Sequence, residues 1–492
     1  MPPLSTRLLY GASGAVYAVK EAAYTMFVLL FYTQVLGLSG SITGLIIAAS
    51  LIWDAISDPL VGTLSDRVRS RLGRRHPFMY FSILPMGLGF IGLFAPPAFV
   101  VESQAYLTGW LLFWSLWVRT FITSYSIPSL AHSTDITSDY QGRSQVLGVR
   151  QGTLFLTSVL VPAAALLLIF NTVNGEDGRF LSENYLTYGL LSCAVCWFMG
   201  TLSAVGTQRY AIPTHEIDPE ALPSGGHGNT LTRDLLRTLS NKNFRAILGF
   251  EISMMASYGS VSALNMLVWT YYWKFSTTEI SIILSAPSLL AVALVLLSLK
   301  PLGRRFEKFS LLQFSAIGLV LNTVWLYPPH MWDLFPDNHS LLFGLNFLLM
   351  LFFMYFFLLR GIQTQSITAD ITDEHEWDHG LRQEAGFFAA LNFSSKIALI
   401  VGPLYGGLVL DFIGLEQGMM PGTVEQSVVD GLVIALGIGT IPYMIAAIYF
   451  AMRVKLTRDR VVELQTLIGE RAQKKRLVST QATAHNARPI TH

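Results

Sequence analysis

Residues 50–62 read "SLIWDAISDPLVG", an apolar segment that carries two carboxylates. Ile52 and Ile56 suit a membrane interior, but Asp54 and Asp58 do not. A charged side chain at the centre of a membrane helix costs about 2.5–3.5 kcal/mol on insertion scales. Such a residue must face a bundle interior or a water-filled cavity, and we therefore interpret the two aspartates as functional.

The composition of the chain is that of a membrane protein. It has 492 residues, of which 52% are hydrophobic and 13% are charged, whereas soluble domains average about 25% charged residues. Runs of about 18 or more apolar residues can span a bilayer, and in lipid each run must be helical. We predict an all-α integral membrane protein, and the net charge of +1 gives no reason to expect a nucleic-acid partner.

Apolar segments recur twelve times, in two sets of six. The first set covers residues 9–36, 41–65, 77–97, 105–130, 146–170 and 187–207, and the second covers 244–271, 277–300, 309–328, 340–368, 384–412 and 430–453. The predicted domains are a six-helix N-terminal half (1–209), a linker rich in Pro, Gly and charge (210–243), a six-helix C-terminal half (244–453) and a tail (454–492). Paired halves are the usual plan of secondary transporters.

Basic residues predict the orientation. If both termini are cytoplasmic, the inner loops and the N-terminal leader carry seventeen Lys and Arg residues, whereas the outer loops carry only Arg179 and Lys274. Cytoplasmic loops have such an excess, so we place the termini, the linker and the tail in the cytoplasm. Residues 454–476 are predicted to form a charged amphipathic helix at the membrane surface.

Charged residues also fall at membrane depth. The basic ones are Lys20, Arg119, Arg150, Arg360 and Lys396, and the acidic ones are Glu21, Asp54, Asp58 and Glu251. Arg150 and Arg360 lie nearest helix ends, where long side chains can snorkel. The alternative to a functional site is a structural ion pair, for example between Lys20 and an acid on a neighbouring helix.

The spacing of the two aspartates favours a cation site. Residues four apart lie on one helix face with Cβ atoms about 5–6 Å apart, so Asp54 and Asp58 can converge on one small ion. Two carboxylates this close need a counter-charge, which sodium, a proton or Lys396 would supply. Carboxylate oxygens suit a hard cation.

The motif "HEWDH" at residues 375–379 matches the H-E-x-x-H pattern of zinc proteases. On a helix it would put two imidazoles on one face, with Glu376 as the base. Its highly charged surroundings, ended by Gly380, indicate a solvated cytoplasmic loop instead, and no third ligand is evident. We therefore predict no enzyme activity and no cofactor, and keep an intramembrane enzyme as a distant alternative.

Three stretches carry a family resemblance: "FYTQVLGLSGSITGLIIAASLIWDAISDPLVGTLSDRVRSRLGRRHP", "SIPSLAHSTDITSDYQGRSQVLGVRQ" and "GLRQEAGFFAALNFSSKIALIVGPLYGGLVLDFIG". They resemble the glycoside–pentoside–hexuronide:cation symporters, the melibiose-permease-like branch of the major facilitator superfamily. The resemblance implies that superfamily's fold and a place in the cell membrane, which is the inner membrane in a bacterium. It also implies secondary active symport of a sugar or glycoside, coupled to Na⁺ or H⁺, by alternating access.

The resemblance assigns roles to individual residues. Asp54 and Asp58 match the family carboxylates that bind the coupling cation. Arg150 matches a sugar-site arginine on the fifth helix, and Lys396 matches a lysine on the eleventh helix that lies near both sites.

Gating residues follow from the same resemblance. Asp66 and Arg67, in "GTLSDR", resemble the cytoplasmic turn that latches the halves in one state. The alternative is that they only flank the cytoplasmic end of a helix, as the positive-inside rule describes. Arg382 and Glu384 match an R-x-E at the start of the eleventh helix and are also assigned to gating.

The substrate cavity is expected to contain aromatic and polar side chains. The candidates are Tyr24, Trp53, Trp117, Tyr125, Tyr258, Trp269 and Asn392. The expected partners are a small-molecule substrate, most simply a sugar, and the lipid bilayer, and we expect a monomer.

Two positions depart from the family pattern. The first-helix acid that binds the sugar aligns with Ala18, and the fourth-helix acid aligns near Ser124. Vertebrate lipid symporters share the W-D-A-x-x-D-P stretch, so a cation-coupled carrier of a lysolipid or another amphiphile is the main alternative.

Overall fold

A computed structural model of the protein describes residues 2–137, 139–172, 177–211, 238–379, 384–416 and 418–471. Eleven helices in these residues are long and apolar enough to cross a membrane. Helices suit lipid because they satisfy their backbone polar groups within one segment. The predicted all-helical membrane architecture is therefore confirmed, whereas most of the predicted linker and the end of the predicted tail lie outside the described residues.

The long helices follow one another along the described residues. The first six are α1 (Leu4–Val35), α2 (Gly40–Arg67), α3 (His76–Phe94), α4 (Gln104–Ala131), α5 (Tyr140–Leu168) and α6 (Ser182–Thr207). The next six are α7 (Lys242–Tyr272), α8 (Thr277–Arg305), α9 (Lys308–Val324), α10 (His339–His379), α11 (Gly386–Ile413) and α12 (Gln426–Ala451).

Helix α4 stands apart from the other long helices of the described chain. It has 28 residues, but it is not among the eleven helices that are both long and apolar enough to cross a membrane. Its sequence is rich in Trp, Ser and Thr and contains Arg119, which lowers its mean hydropathy. The prediction of twelve spans therefore stays a prediction.

Helix α10 corrects one sequence-based expectation. It continues to His379, so the HEWDH motif lies on a helix and not in a loop. His375 is buried, and its ring packs 5.2 Å from the Phe387 ring of α11. The first histidine of the motif thus contributes to packing between α10 and α11.

The predicted surface helix of the tail is helical over residues 458–471 and packs on the protein. Arg458 Nη2 donates hydrogen bonds to the carbonyls of Gly303 and Phe306, at 2.7 and 3.0 Å. Arg471 lies over the Trp377 ring, 5.0 Å from its centroid. The helix is therefore anchored to the ends of α8 and α10.

Two π-helical segments interrupt α1, at Ala23–Val28 and Phe31–Val35. Such segments frequently occur at functional sites. Within α1–α6, α1 packs on α5 and α6, and α4 packs on α2 and α3. Within α7–α12, α10 packs on α8 and α9, and α7 packs on α11 and α12.

The two sets of helices meet closely at the distal face, which we define as the end of the bundle where α2 begins and α11 ends. A Cβ atom added at Gly44 of α2 would lie 2.2 Å from the Pro403 carbonyl oxygen, and one added at Gly407 of α11 would lie 2.1 Å from the Gly40 carbonyl oxygen. Only glycine permits this approach of the two backbones.

A carboxylate from α11 also caps α2 at the distal face. Asp411 accepts hydrogen bonds from the backbone N–H groups of Gly40 and Ser41, at 2.8 and 2.9 Å, and from the Ser39 hydroxyl at 2.8 Å. A negative charge is favourable at a helix N-terminus. Arg179, before α6, adds a 2.7 Å hydrogen bond to Thr270 of α7, so the distal face is closed.

We expect Gly44→Ala to destabilise the protein by about 1–3 kcal/mol, because the added methyl group meets backbone that cannot move without separating α2 from α11. Gly109→Ala is the matched control, since no atom lies within 4 Å of its added Cβ. Thermal unfolding of the purified variants measures both effects. Equal melting temperatures would contradict the close approach described here.

Candidate functional site

A buried carboxylate lies where α1, α2 and α4 meet. Asp54 on α2 is 4% exposed, and both of its oxygens have partners. Oδ2 lies 3.3 Å from Lys20 Nζ on α1 and 3.6 Å from Arg119 Nη1 on α4. Oδ1 accepts a hydrogen bond from Thr123 Oγ1 at 2.9 Å. Asp54 is therefore held between two cations.

The two cations are fixed by further contacts. Lys20 and Arg119 are 1% and 2% exposed. Lys20 Nζ also lies 3.1 Å from Glu21 Oε1. Arg119 Nε donates to Ser50 Oγ at 2.7 Å, and its guanidinium lies 4.5 Å from the centroid of the Tyr24 ring. The ion pair that was the structural alternative for Lys20 is thus present, with Asp54 as the partner.

Asp58, one turn further along α2, is more accessible. Its Oδ1 lies 3.1 Å from Thr123 Oγ1, and its Oδ2 accepts a hydrogen bond from Lys396 Nζ. The Asp58 and Lys396 side chains are 19% and 29% exposed. Because Lys396 belongs to α11, this ion pair joins the first six helices to the last six.

The two aspartates share one face but differ in environment. Thr123 Oγ1 lies 2.9 Å from Asp54 Oδ1 and 3.1 Å from Asp58 Oδ1, so one hydroxyl lies between the two carboxylates and can donate its proton to either. Asp54 already has two buried cations, whereas the counter-charge of Asp58 comes from a partly exposed lysine. Asp58 is therefore the aspartate that solvent can reach together with its basic partner.

Sequence reasoning missed Thr123 and placed Arg119 only at membrane depth. The two residues are four apart on α4, so they lie on one helix face. From the sequence, this four-residue spacing of a basic and a hydroxyl side chain was the feature that could have pointed to a shared site. Only the packing of α4 against α2 reveals that Arg119 and Thr123 contact the aspartates.

Arg150 lies on α5 and is 8% exposed, and among the described residues no hydrogen bond or ion pair joins it to the aspartate cluster. Its Nε atom is buried and makes no hydrogen bond with any described residue. The backbone carbonyl oxygen of Arg150 would lie 2.4 Å from a Cβ added at Gly14, so α1 and α5 pack closely there. Because its Nε has no partner among the described residues, the Arg150 guanidinium retains a donor for a further partner.

Three of the predicted substrate residues are buried among helices. The Tyr24 hydroxyl lies 3.5 Å from the Ser115 carbonyl, and the Tyr125 hydroxyl donates to the Gly200 carbonyl at 3.0 Å. Trp269 is 2% exposed on α7. All three are positioned by packing, and their binding role stays a prediction.

The other predicted substrate residues are less buried. Trp53 is 38% exposed and donates to Thr120 Oγ1 at 2.8 Å, whereas Trp117 donates to the Pro85 carbonyl at 2.9 Å between α3 and α4. Asn392 is exposed on α11, and Tyr258 is half-buried on α7.

Glu251 and Arg360 form a second buried ion pair. Arg360 Nη1 donates to Glu251 Oε2 at 2.6 Å. Arg360 is 4% exposed and Glu251 is 7% exposed. Arg360 therefore does not snorkel to an interface, which corrects the expectation drawn from its place near a helix end.

The predicted gating residues lie at the end of α2. Asp66 and Arg67 are exposed, and Asp66 Oδ1 is 3.8 Å from Arg74 Nη1. Arg74 also approaches Asp135, in the α4–α5 connection, at 3.5 Å. Burial would raise the pKa of Asp135, but a hydrogen bond from His132 and the nearby arginines outweigh it and lower that pKa. Arg382 and the Glu384 side chain lie outside the described residues.

Residues 9–458 match the family described as MFS/sugar transport protein. The chain belongs to this family. The resemblance to the glycoside–pentoside–hexuronide symporters is thereby confirmed, and the protein is a multi-pass membrane transporter and not an enzyme. The enzyme alternative built on HEWDH is accordingly set aside.

Individual members of the sugar transport family align over most of this chain. A protein provisionally named as the glycoside/cation symporter YagG, from Escherichia coli (strain K12), is 26% identical over 94% of each chain. The isoprimeverose transporter of Lactiplantibacillus pentosus is 21% identical over 83% of this chain and 80% of its own. A solved structure of the nucleoside transporter NupG has a TM-score of 0.60 at 12% identity, covering 92% of this chain and 98% of NupG, which shows a shared fold.

We expect Asp54→Leu to lower the free energy of unfolding by about 3–5 kcal/mol, because Lys20 and Arg119 would be left buried without their partner. Asp58→Leu should cost about 1 kcal/mol or less, because water can reach Lys396. Denaturant unfolding of the purified variants gives both values. Equal losses would show that the two aspartates do not differ in environment.

Proposed function

We propose that this transporter couples the uptake of a sugar or glycoside to the entry of a cation. The observation that carries the proposal is the contact of Lys396 with Asp58, which joins α11 to a carboxylate pair on α2. Membership of the sugar transport family supports it, as do the names of relatives that describe a glycoside/cation symporter and an isoprimeverose transporter.

The proposed architecture has twelve spans, with α4 as the span of lowest hydropathy. In this proposal α1–α6 and α7–α12 form two halves that rock about the aspartate cluster, and both termini are cytoplasmic. The distal face is then extracellular, and its closure corresponds to an inward-facing state. In a bacterial cell the protein would lie in the inner membrane.

Coupling follows from competition at Asp58. A cation that binds the Asp58 carboxylate displaces Lys396 and so breaks an ion pair between the halves. The loss of this pair lowers the barrier to the rocking of one half against the other. It also frees the Lys396 ammonium group near the substrate. If the cation favours substrate binding, the substrate favours cation binding by the same factor. The Asp54, Asp58 and Thr123 oxygens suit Na⁺, and a proton can bind Asp58 alone.

In proteoliposomes, we expect wild-type protein to accumulate isoprimeverose when an inward sodium or proton gradient is imposed, and not without one. Asp58→Asn should abolish accumulation, because the exchangeable charge is lost. Lys396→Ala should equilibrate the sugar without concentrating it, because the ion pair between the halves is absent.

Lys308→Ala is the matched control for the lysine, since Lys308 pairs with Asp370 away from the cluster, at 2.6 Å. It should accumulate the sugar as the wild type does. Accumulation by wild-type protein that ignores both gradients, or full accumulation by Lys396→Ala, would refute the coupling scheme.

We further predict that Arg150→Lys loses most of its sugar affinity and keeps its cation dependence. A guanidinium is a planar donor that can engage two oxygens at once, and an ammonium cannot reproduce this geometry. Isothermal titration with isoprimeverose, with and without sodium, tests the prediction. Unchanged sugar affinity would remove Arg150 from the substrate site.

A further inference from the structure

The Glu251–Arg360 pair has hydrogen-bonding capacity beyond its own contacts. Ser395 Oγ of α11 lies 3.2 Å from Glu251 Oε1 and 2.9 Å from the Leu391 carbonyl oxygen, while Arg360 occupies Oε2. Arg360 Nε is buried and has no hydrogen-bond partner among the described residues. A buried donor without a partner destabilises the fold, so its presence calls for a ligand or another compensating role.

The cluster lies next to the aspartates. Ser395 and Lys396 are consecutive on α11, and they reach Glu251 of α7 and Asp58 of α2 respectively. Glu251 lies nine residues from the start of α7, and Asp58 lies nine residues from the end of α2. At 1.5 Å per residue both are about 14 Å from the same end of the bundle. The two carboxylates are therefore at similar depth and contact neighbouring residues of α11.

Aromatic rings adjoin the ion pair. Tyr258 and Phe357 are half-buried, and their rings stack with centroids 4.7 Å apart. The Arg360 guanidinium lies 4.6 Å from the Phe357 centroid. Tyr258 is seven residues after Glu251, which puts both on one face of α7. An aromatic surface thus continues directly from a carboxylate–guanidinium pair.

We propose that Glu251, Arg360 and Ser395 form a sugar-binding surface contributed by α7–α12, with Tyr258 as the ring against which the sugar packs. The Glu251 carboxylate accepts hydrogen bonds from sugar hydroxyls, and Arg360 Nε donates one. The proposal rests on the function proposed above and names the residues that select its substrate.

The charge of this cluster also selects a substrate class. Glu251 and Arg360 neutralise each other, so this surface has no net positive charge with which to bind a carboxylate or sulfonate. Stacking against Tyr258 suits the apolar face of a sugar ring, and paired polar groups suit its hydroxyls. The cluster therefore favours a neutral polyhydroxylated ring.

The competing explanation is a structural ion pair that ties α7 to α10. Removing one member of a buried pair destabilises the fold under either explanation, but replacing both members by apolar residues of similar size often does not. The double substitution Glu251→Leu with Arg360→Met therefore separates stability from sugar binding.

The experiment measures sugar affinity by tryptophan fluorescence for purified wild type, Glu251→Gln and the double variant, with isoprimeverose, methyl glucoside and glucuronate as probes. Melting temperatures are recorded in parallel. Asp370→Asn serves as the control, because it removes the carboxylate of a different ion pair, that with Lys308. We expect Glu251→Gln to lose at least about tenfold in affinity for a neutral sugar.

The double variant should show the same loss at a melting temperature close to that of the wild type, and Asp370→Asn should keep wild-type affinity. If wild-type protein binds a neutral sugar and Glu251→Gln or the double variant binds it equally well, the proposed surface is wrong while sugar transport stands. Tighter wild-type binding of glucuronate than of either neutral probe would overturn the substrate class. Failure of wild-type protein to bind any of the three sugars would overturn the proposed function and this inference together.

Discussion

An ionised carboxylate in the membrane interior is the constraint on which this structure depends. Asp54 is almost fully buried, and removing an ion from water costs several kcal/mol unless compensating charges are near. Lys20 and Arg119 supply those charges and are as deeply buried as Asp54 itself. Pairing these three charges requires α1, α2 and α4 to meet at this depth.

The same constraint gives the two aspartates different environments. With Asp54 neutralised from within α1–α6, Asp58 is the carboxylate whose partner comes from across the bundle and is partly exposed. The Thr123 hydroxyl lies between the two carboxylates. A charge that binds at Asp58 therefore acts on a contact between α2 and α11, and those helices also meet at the glycines of the distal face.

Each set of helices thus contributes a buried ion pair close to α11. The cluster around Asp54 and Asp58 combines several charges with a partly exposed partner, and it is the cation site of the proposed scheme. The Glu251–Arg360 pair is neutral and adjoins aromatic rings, which suits a larger polar solute. If the two proposals hold, consecutive residues of α11 contact both the cation site and the substrate site.

The sequence by itself determined the membrane class, the helical architecture, the family and the presence of an aspartate pair on one face. These follow from local patterns, because lipid imposes helices and a four-residue spacing defines a face. Only the tertiary structure decided which charges pair. Lys20 and Asp54 are 34 residues apart in sequence, and Asp58 and Lys396 are 338 apart. Such partners, like Arg360 with Glu251 and the helical state of HEWDH, depend on how helices pack, which no local pattern specifies.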